Sequence, residues 1–124
     1  MVLVDTSSWI HFLRPDGDAT VRARVSAALE AGVACWCPIV RLELWNGAKG
    51  DREKKVLREF ERLIPELPIT TAVWSDACES ARHCRTAGVT VPATDLLINA
   101  CAFHHGATLE HADRDFPLIP RAAP

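Results

Sequence analysis

Five acidic side chains stand where a catalytic pocket would need them: Asp5, Glu43, Asp95, Asp113 and Asp115. Asp5 directly follows Val2-Leu3-Val4, an apolar run that reads as a short strand buried on both faces. Asp113 and Asp115 come just after a second such run, Ala107 to His111. In open α/β sheets the ligand crevice lies beyond the carboxyl ends of the strands, so parallel strands would deliver these three acids to one edge. Asp95 opens the helix that leads into the last of those strands, and its first turn would overhang the same edge. Glu43, in the helix after the second strand, is within reach of it.

Carboxylates that converge in one crevice repel each other and are driven towards protonation unless a cation sits among them. A hard divalent ion answers this, and Mg²⁺ prefers oxygen ligands while keeping sites for water and substrate phosphates. Such a centre suits phosphodiester hydrolysis, in which the ion activates water and neutralises charge on phosphate oxygens. Each acid alone has an ordinary explanation: Asp5 as a helix cap, Asp95 as a first-turn dipole partner, Asp113 and Asp115 as loop acids, Glu43 as a surface residue. Their joint placement favours the metal site.

The elements that must position these acids alternate between strand and helix signals. Ser8 to Leu13 forms a short amphipathic helix ended by Pro15-Asp16-Gly17. Val21, Val25, Ala28 and Leu29 keep helical spacing over residues 20–31, and Gly32 stops them. Val33 to Cys37 is a second buried strand, and Pro38 opens the helix that carries Glu43. Asp51 to Ile64 is a mildly basic helix with Val56, Leu57, Phe60, Leu63 and Ile64 on one face. Its cations read as a solvated face in preference to a phosphate-contacting one. Leu67 to Thr70 is an edge strand around Pro68, and Trp74, Ala77, Ala81 and Cys84 mark the buried side of a helix over 72–86. Thr94 caps the apolar helix from Asp95 to Phe103, closed by Gly106. A last short edge strand is expected around Leu118-Ile119.

Composition bounds the alternatives. The chain has 124 residues, 48% hydrophobic and 24% charged, which fits a single domain over residues 1–124. No apolar run is long enough to span a bilayer, and no secretory signal is visible, so a cytoplasmic place is expected. The cysteines, Cys35, Cys37, Cys78, Cys84 and Cys101, are odd in number and lack C-x-x-C spacing. They read as reduced, buried, small hydrophobes, and the nearby histidines do not complete a zinc-finger spacing. A net charge of −2 argues against tight nonspecific nucleic-acid binding but is compatible with a nuclease whose own site is acidic.

Four stretches, read together, resemble a known family. Val4-Asp5-Thr6-Ser7-Ser8-Trp9-Ile10, Ile39-Val40-Arg41-Leu42-Glu43-Leu44, Pro92-Ala93-Thr94-Asp95-Leu96-Leu97-Ile98 and His111-Ala112-Asp113-Arg114-Asp115-Phe116 look like the PIN domain, and more narrowly like the VapC toxins of prokaryotic toxin-antitoxin pairs. The resemblance implies a three-layer α/β/α sandwich with a central parallel sheet, here of four or five strands. It also implies an endoribonuclease dependent on Mg²⁺, with Mn²⁺ able to substitute, a homodimer acting on RNA, and inhibition by a VapB-type antitoxin. Carried over by position, Asp5 and Asp95 match the usual metal ligands. Glu43 and Asp113 complete the acidic quartet, orienting water or a second ion. All four are therefore candidate catalytic and metal-site residues. Ser7 matches a hydroxyl that supports the first acid, and Asp115 an accessory acid. Asn99, one turn after Asp95, departs from the family pattern, in which an apolar residue is commoner.

Other classes fit less well. A receiver-like signalling domain also binds Mg²⁺, but it needs an acidic pair after the first strand and a late Lys, whereas no Lys follows Lys55. An Asp-x-Asp phosphatase would need an acid where Ser7 stands. A non-catalytic module that binds RNA or a partner is the remaining alternative, and the complete set of acids speaks against it.

Overall fold

The strands are short and the helices do most of the building. The computed structural model describes residues 1–120, with β1 at Val2–Val4, α1 at Thr6–Leu13, α2 at Ala19–Glu30 and β2 at Ala34–Cys35. There follow α3 at Pro38–Gly47, α4 at Gly50–Leu63, α5 at Thr71–Thr86, α6 at Ala93–His104, β3 at Thr108–Glu110 and a 3-10 turn at Phe116–Leu118. All strand pairings are parallel in the order β2-β1-β3, with Val2 opposite Ala34 and Thr108, and Leu3 opposite Cys35 and Leu109. Successive side chains of a strand point to opposite faces, and Leu3 and Val4 are both fully buried, so helices cover the central strand on each side. Asp5 continues the ladder by donating its N–H to the Glu110 carbonyl at 2.9 Å, which brings the ends of β1 and β3 together.

Three described strands form, not four or five. Leu67–Thr70 contributes no strand; its neighbourhood supplies one isolated bridge, Trp36 with Glu66. Trp36 donates to the Pro65 carbonyl and accepts from Leu67 N–H, and there the ladder stops, because the next donors in this parallel register would be Pro65 and Pro38, which have no N–H to give. Leu118-Ile119 is not extended either: Pro117 starts the 3-10 turn, and Leu118 and Ile119 donate back to Asp115 and Phe116. Residues 121–124, the end of the expected tail, lie outside the described residues.

Several helix faces are turned from expectation. Thr94 is inside α6, whose cap is Pro92 without a side-chain hydrogen bond, so Asp95 is the helix's third residue. In α5 Ala77 and Cys84 are buried as expected, but Trp74, at 55%, and Ala81 are exposed, and Val73 takes the inward place beside Trp74. Leu63 is 73% exposed because α4 ends there and the chain turns Ile64 inward instead. Cys78 faces solvent on α5, whereas the other four cysteines are buried and all five are free. No helix among the described residues is long and apolar enough to cross a membrane.

The packing that matters for the site is what fixes α1. Trp9, fully buried, meets Phe60 of α4 at a ring-centroid distance of 5.0 Å, Phe12 at 6.2 Å and Trp36 at 6.4 Å. Truncating a buried aromatic of this kind costs about 3–5 kcal/mol, so the first turn of α1 is held on a rigid base. Gly17 lets the chain fold back tightly towards α2: a Cβ there would lie 1.9 Å from the His11 carbonyl oxygen.

Candidate metal centre

Two hydroxyls in the first turn of α1 organise one side of the crevice. Asp5 caps α1, accepting at Oδ2 from Ser7 N–H at 3.0 Å and from the Ser7 hydroxyl at 2.6 Å. The same Ser7 oxygen accepts from Ala112 N–H at 3.0 Å, which ties the loop after β3 to the end of β1. Thr6 donates its hydroxyl to Glu43 Oε1 at 2.8 Å, linking α1 to α3 across 37 residues of sequence. Asp5 is therefore both a helix cap and a crevice acid.

The other side is built by α6 and the loop beyond β3. Asp95, Asp113 and Asp115 each bring a carboxylate oxygen within 4.8 Å of the other two. Asp115 N–H donates to Asp113 Oδ1 at 2.8 Å, a local turn that presents both side chains from one short loop. Asp95 is only 8% exposed, and its Oδ2 is buried with no hydrogen-bond partner among the described residues. Beside this loop the His111 ring packs on Phe116 at a centroid distance of 5.0 Å.

The electrostatics follow from burial and mutual repulsion. Burial first, then the charge of Asp113 and a carboxyl–carboxyl hydrogen bond to it, with smaller repulsion from Asp5 and Asp115, push Asp95 up to about 7. Asp5 is raised by burial and, more weakly, by Asp113, against the lowering effect of its Ser7 hydrogen bonds. Glu43 is raised by burial and by Asp5, with the Thr6 hydrogen bond opposing. The arginine–carboxylate ion pairs of the described residues lie elsewhere, at Arg24–Glu110, Arg41 with Glu61 and Glu66, Arg62–Glu59 and Arg82–Glu79. A crevice with converging acids, an orphaned buried carboxylate oxygen and, among the described residues, no cation paired with any of these acids is chemically suited to a hard divalent ion.

Of the four acids singled out by sequence, Asp95 and Asp113 belong to the tight trio, Asp5 adjoins it, and Glu43 stands on the flank beyond Asp5. On its far side Glu43 lines a small cavity of about 60 Å³ with Ile10, Leu13, Arg14, Leu44 and Leu57. Asp115, read from sequence as accessory, is the trio's third member. Thr6 as the support of Glu43 was missed: it follows Asp5 directly, but nothing in sequence alone says which distant acid its hydroxyl meets.

A family model for the PIN domain matches residues 2–122. The chain belongs to the PIN domain family. This PIN domain is 35% identical to Ribonuclease VapC11 of Mycobacterium tuberculosis over 124 residues, covering 98% of this chain and 92% of the relative. The VapC ribonuclease Mb1587 of Mycobacterium bovis matches to the same extent, 35% identity with 98% and 92% coverage. Among solved structures, VapBC2 from Rickettsia felis bound to a DNA fragment from its promoter superposes with a TM-score of 0.76 at 16% identity, over 97% of this chain and 94% of that one. Mycobacterium tuberculosis VapC20, described as a sarcin-ricin loop cleaving toxin, superposes with a TM-score of 0.70 at 22% identity over the whole of both chains. Against these matches the receiver and phosphatase alternatives fall away, and the short three-stranded sheet is a PIN-like core.

Proposed function

We propose that this PIN domain is the toxin of a toxin-antitoxin pair, a Mg²⁺-dependent endoribonuclease of the cytoplasm that works as a homodimer. The observation that carries the reading is the trio Asp95, Asp113 and Asp115 within 4.8 Å, with a buried, unpartnered oxygen on Asp95. The VapC ribonucleases at 35% identity over nearly the full chain support the reaction class. Asp5, Asp95, Asp113 and Glu43 would hold the ion, joined by Asp115. When bound, it supplies a charge that offsets the phosphate oxygens and lowers the pKa of water.

The chain's own groups do the rest. The Ser7 hydroxyl holds Asp5 Oδ2 in one orientation, and Oδ1 would be the oxygen left for the ion. Thr6 engages Glu43 Oε1, so Oε2 is the oxygen available to accept a hydrogen bond from the attacking water. Asp95, ionised only above its raised pKa in the ion-free protein, becomes a full carboxylate when positive charge is placed among the acids. For the partner, an antitoxin segment carrying an Arg fits, since the guanidinium pairs bidentately with carboxylates and would take the place of the ion's charge. The apolar part of the cavity beside Glu43 would seat that segment.

The test is purified protein on total cellular RNA with Mg²⁺, with excess chelator, and as the Asp95→Asn variant, followed by mapping of the cut ends. Discrete cuts that disappear in both the chelator and the variant are expected. Cleavage that survives either one contradicts the metal role of this site.

A further inference from the structure

Between Asp95 and Ala102 every residue of α6 is buried except Asn99. A carboxamide on the open side of an otherwise apolar helix is half-buried, and it has no side-chain hydrogen bond among the described residues. One turn separates it from Asp95, so both lie on neighbouring positions of one helix face. A further turn on, Phe103 is 74% exposed. The three residues descend from the acidic trio as carboxylate, amide and aromatic ring, about 6 Å and 12 Å along the axis from Asp95.

We propose that this face of α6 holds the RNA strand on one side of the cut, with Asn99 hydrogen-bonding the nucleotide next to the scissile phosphate and Phe103 stacking a base beyond it. The inference rests on the ribonuclease reading above. A strand whose phosphate lies at Asp95 and which runs along α6 must cross Asn99 before Phe103, so the surface is continuous with the site. The amide offers two donors and an acceptor, which suit a base edge or a ribose 2′-hydroxyl. Aromatic rings bind single strands by stacking, whatever the base. A second copy of the chain would also cover Phe103, but that occupant gives no reason for a polar amide between the ring and the metal site.

The experiment uses a single-stranded oligoribonucleotide spanning a mapped cut, cleaved by the full chain and by Asn99→Ala and Phe103→Ala. Leu63→Ala, which removes an equally exposed apolar side chain from α4, is the control. KM should rise about tenfold in each α6 variant, with the loss falling on KM and not on kcat, while Leu63→Ala behaves as wild type. Mn²⁺ titration should give the same affinity for Asn99→Ala as for wild type. Wild-type KM in both α6 variants overturns the proposal, as does a Phe103→Ala protein that sediments as a monomer with KM per site unchanged. Weakened Mn²⁺ binding by Asn99→Ala overturns it too, since the amide would then serve the metal. If the wild-type protein cuts no RNA, the ribonuclease reading fails by itself. Fluorescence anisotropy with a single-stranded oligoribonucleotide of mixed sequence then decides this one, with tighter binding by wild type than by the two variants supporting it and equal binding overturning it.

Discussion

Asp5 and Asp95 share one crevice and are similarly hidden from solvent, at 3% and 8% exposure, yet their surroundings differ in kind. Asp5 is met by a backbone N–H and a hydroxyl from Ser7, and its neighbour Glu43 by the hydroxyl of Thr6. Asp95 meets two other carboxylates and leaves an oxygen with no partner. Burial raises the pKa on both sides, but only on the α1 side do hydrogen bonds pull it back. The hydroxyl-bearing half is preorganised and stable as it stands, while the carboxylate-only half is under repulsion that an added cation would relieve. Hydrogen-bonded order thus lies on the α1 side, and unrelieved repulsion on the α6 side.

Among the groups that support the acids, Ser7 should have the largest effect. Ser7→Ala removes the hydroxyl donor from the buried Asp5, which costs about 1–3 kcal/mol of unfolding free energy in urea titrations, and it also releases the exposed Ala112 N–H to water. Cleavage should fall about ten- to a hundredfold, as when a group that orients a metal ligand is lost. A variant as stable and active as wild type would remove Ser7 from its proposed role.

The second half is sharpened by pH. In the folded protein Asp95 titrates near 7, above its ordinary value of 3.8, so the native state holds this proton more tightly than the unfolded chain does. Its contribution to stability is complete below about pH 4 and is lost as pH rises through about 7. In chelator, wild type and Asp95→Asn should therefore melt at similar temperatures near pH 4, and the variant should melt higher near pH 8. Added Mg²⁺ should stabilise wild type increasingly over the same range and leave the variant nearly unmoved. A melting difference independent of pH would mean that Asp95 is not repelled as described.

The smallest effect is expected at Thr6. Thr6→Val keeps the shape and frees Glu43 to turn, lowering kcat about tenfold while unfolding free energy changes by less than about 1 kcal/mol. Thr6→Ser should recover most of the rate. Equal rates in Thr6→Val and wild type would leave Glu43 positioned by other means.

What could be read beforehand divides along the same line. The acids were legible because each stands next to a strong local signal: Asp5 after an apolar run, Asp95 at the head of an apolar helix, Asp113 in the loop past the last strand. Asp115 reads as an accessory acid only, since two-residue spacing in a loop does not reveal that a turn hydrogen bond joins it to Asp113. Thr6 was silent because its partner is 37 residues away. Strands of two and three residues carry too little periodicity to be counted, which is why the sheet was drawn with extra members. Likewise Trp74 drew attention by its size, while the smaller Val73 beside it is the residue that packs.

The prolines around the Trp36 bridge have a consequence for life at high concentration. On the outer side of that short segment Pro68 has no N–H, so that border of the sheet gives an incoming chain few donors to pair with. The opposite border ends in Glu110, engaged by Arg24, so a foreign strand would have to displace an ion pair and approach a charge. Both margins thus discourage stacking of one molecule upon another.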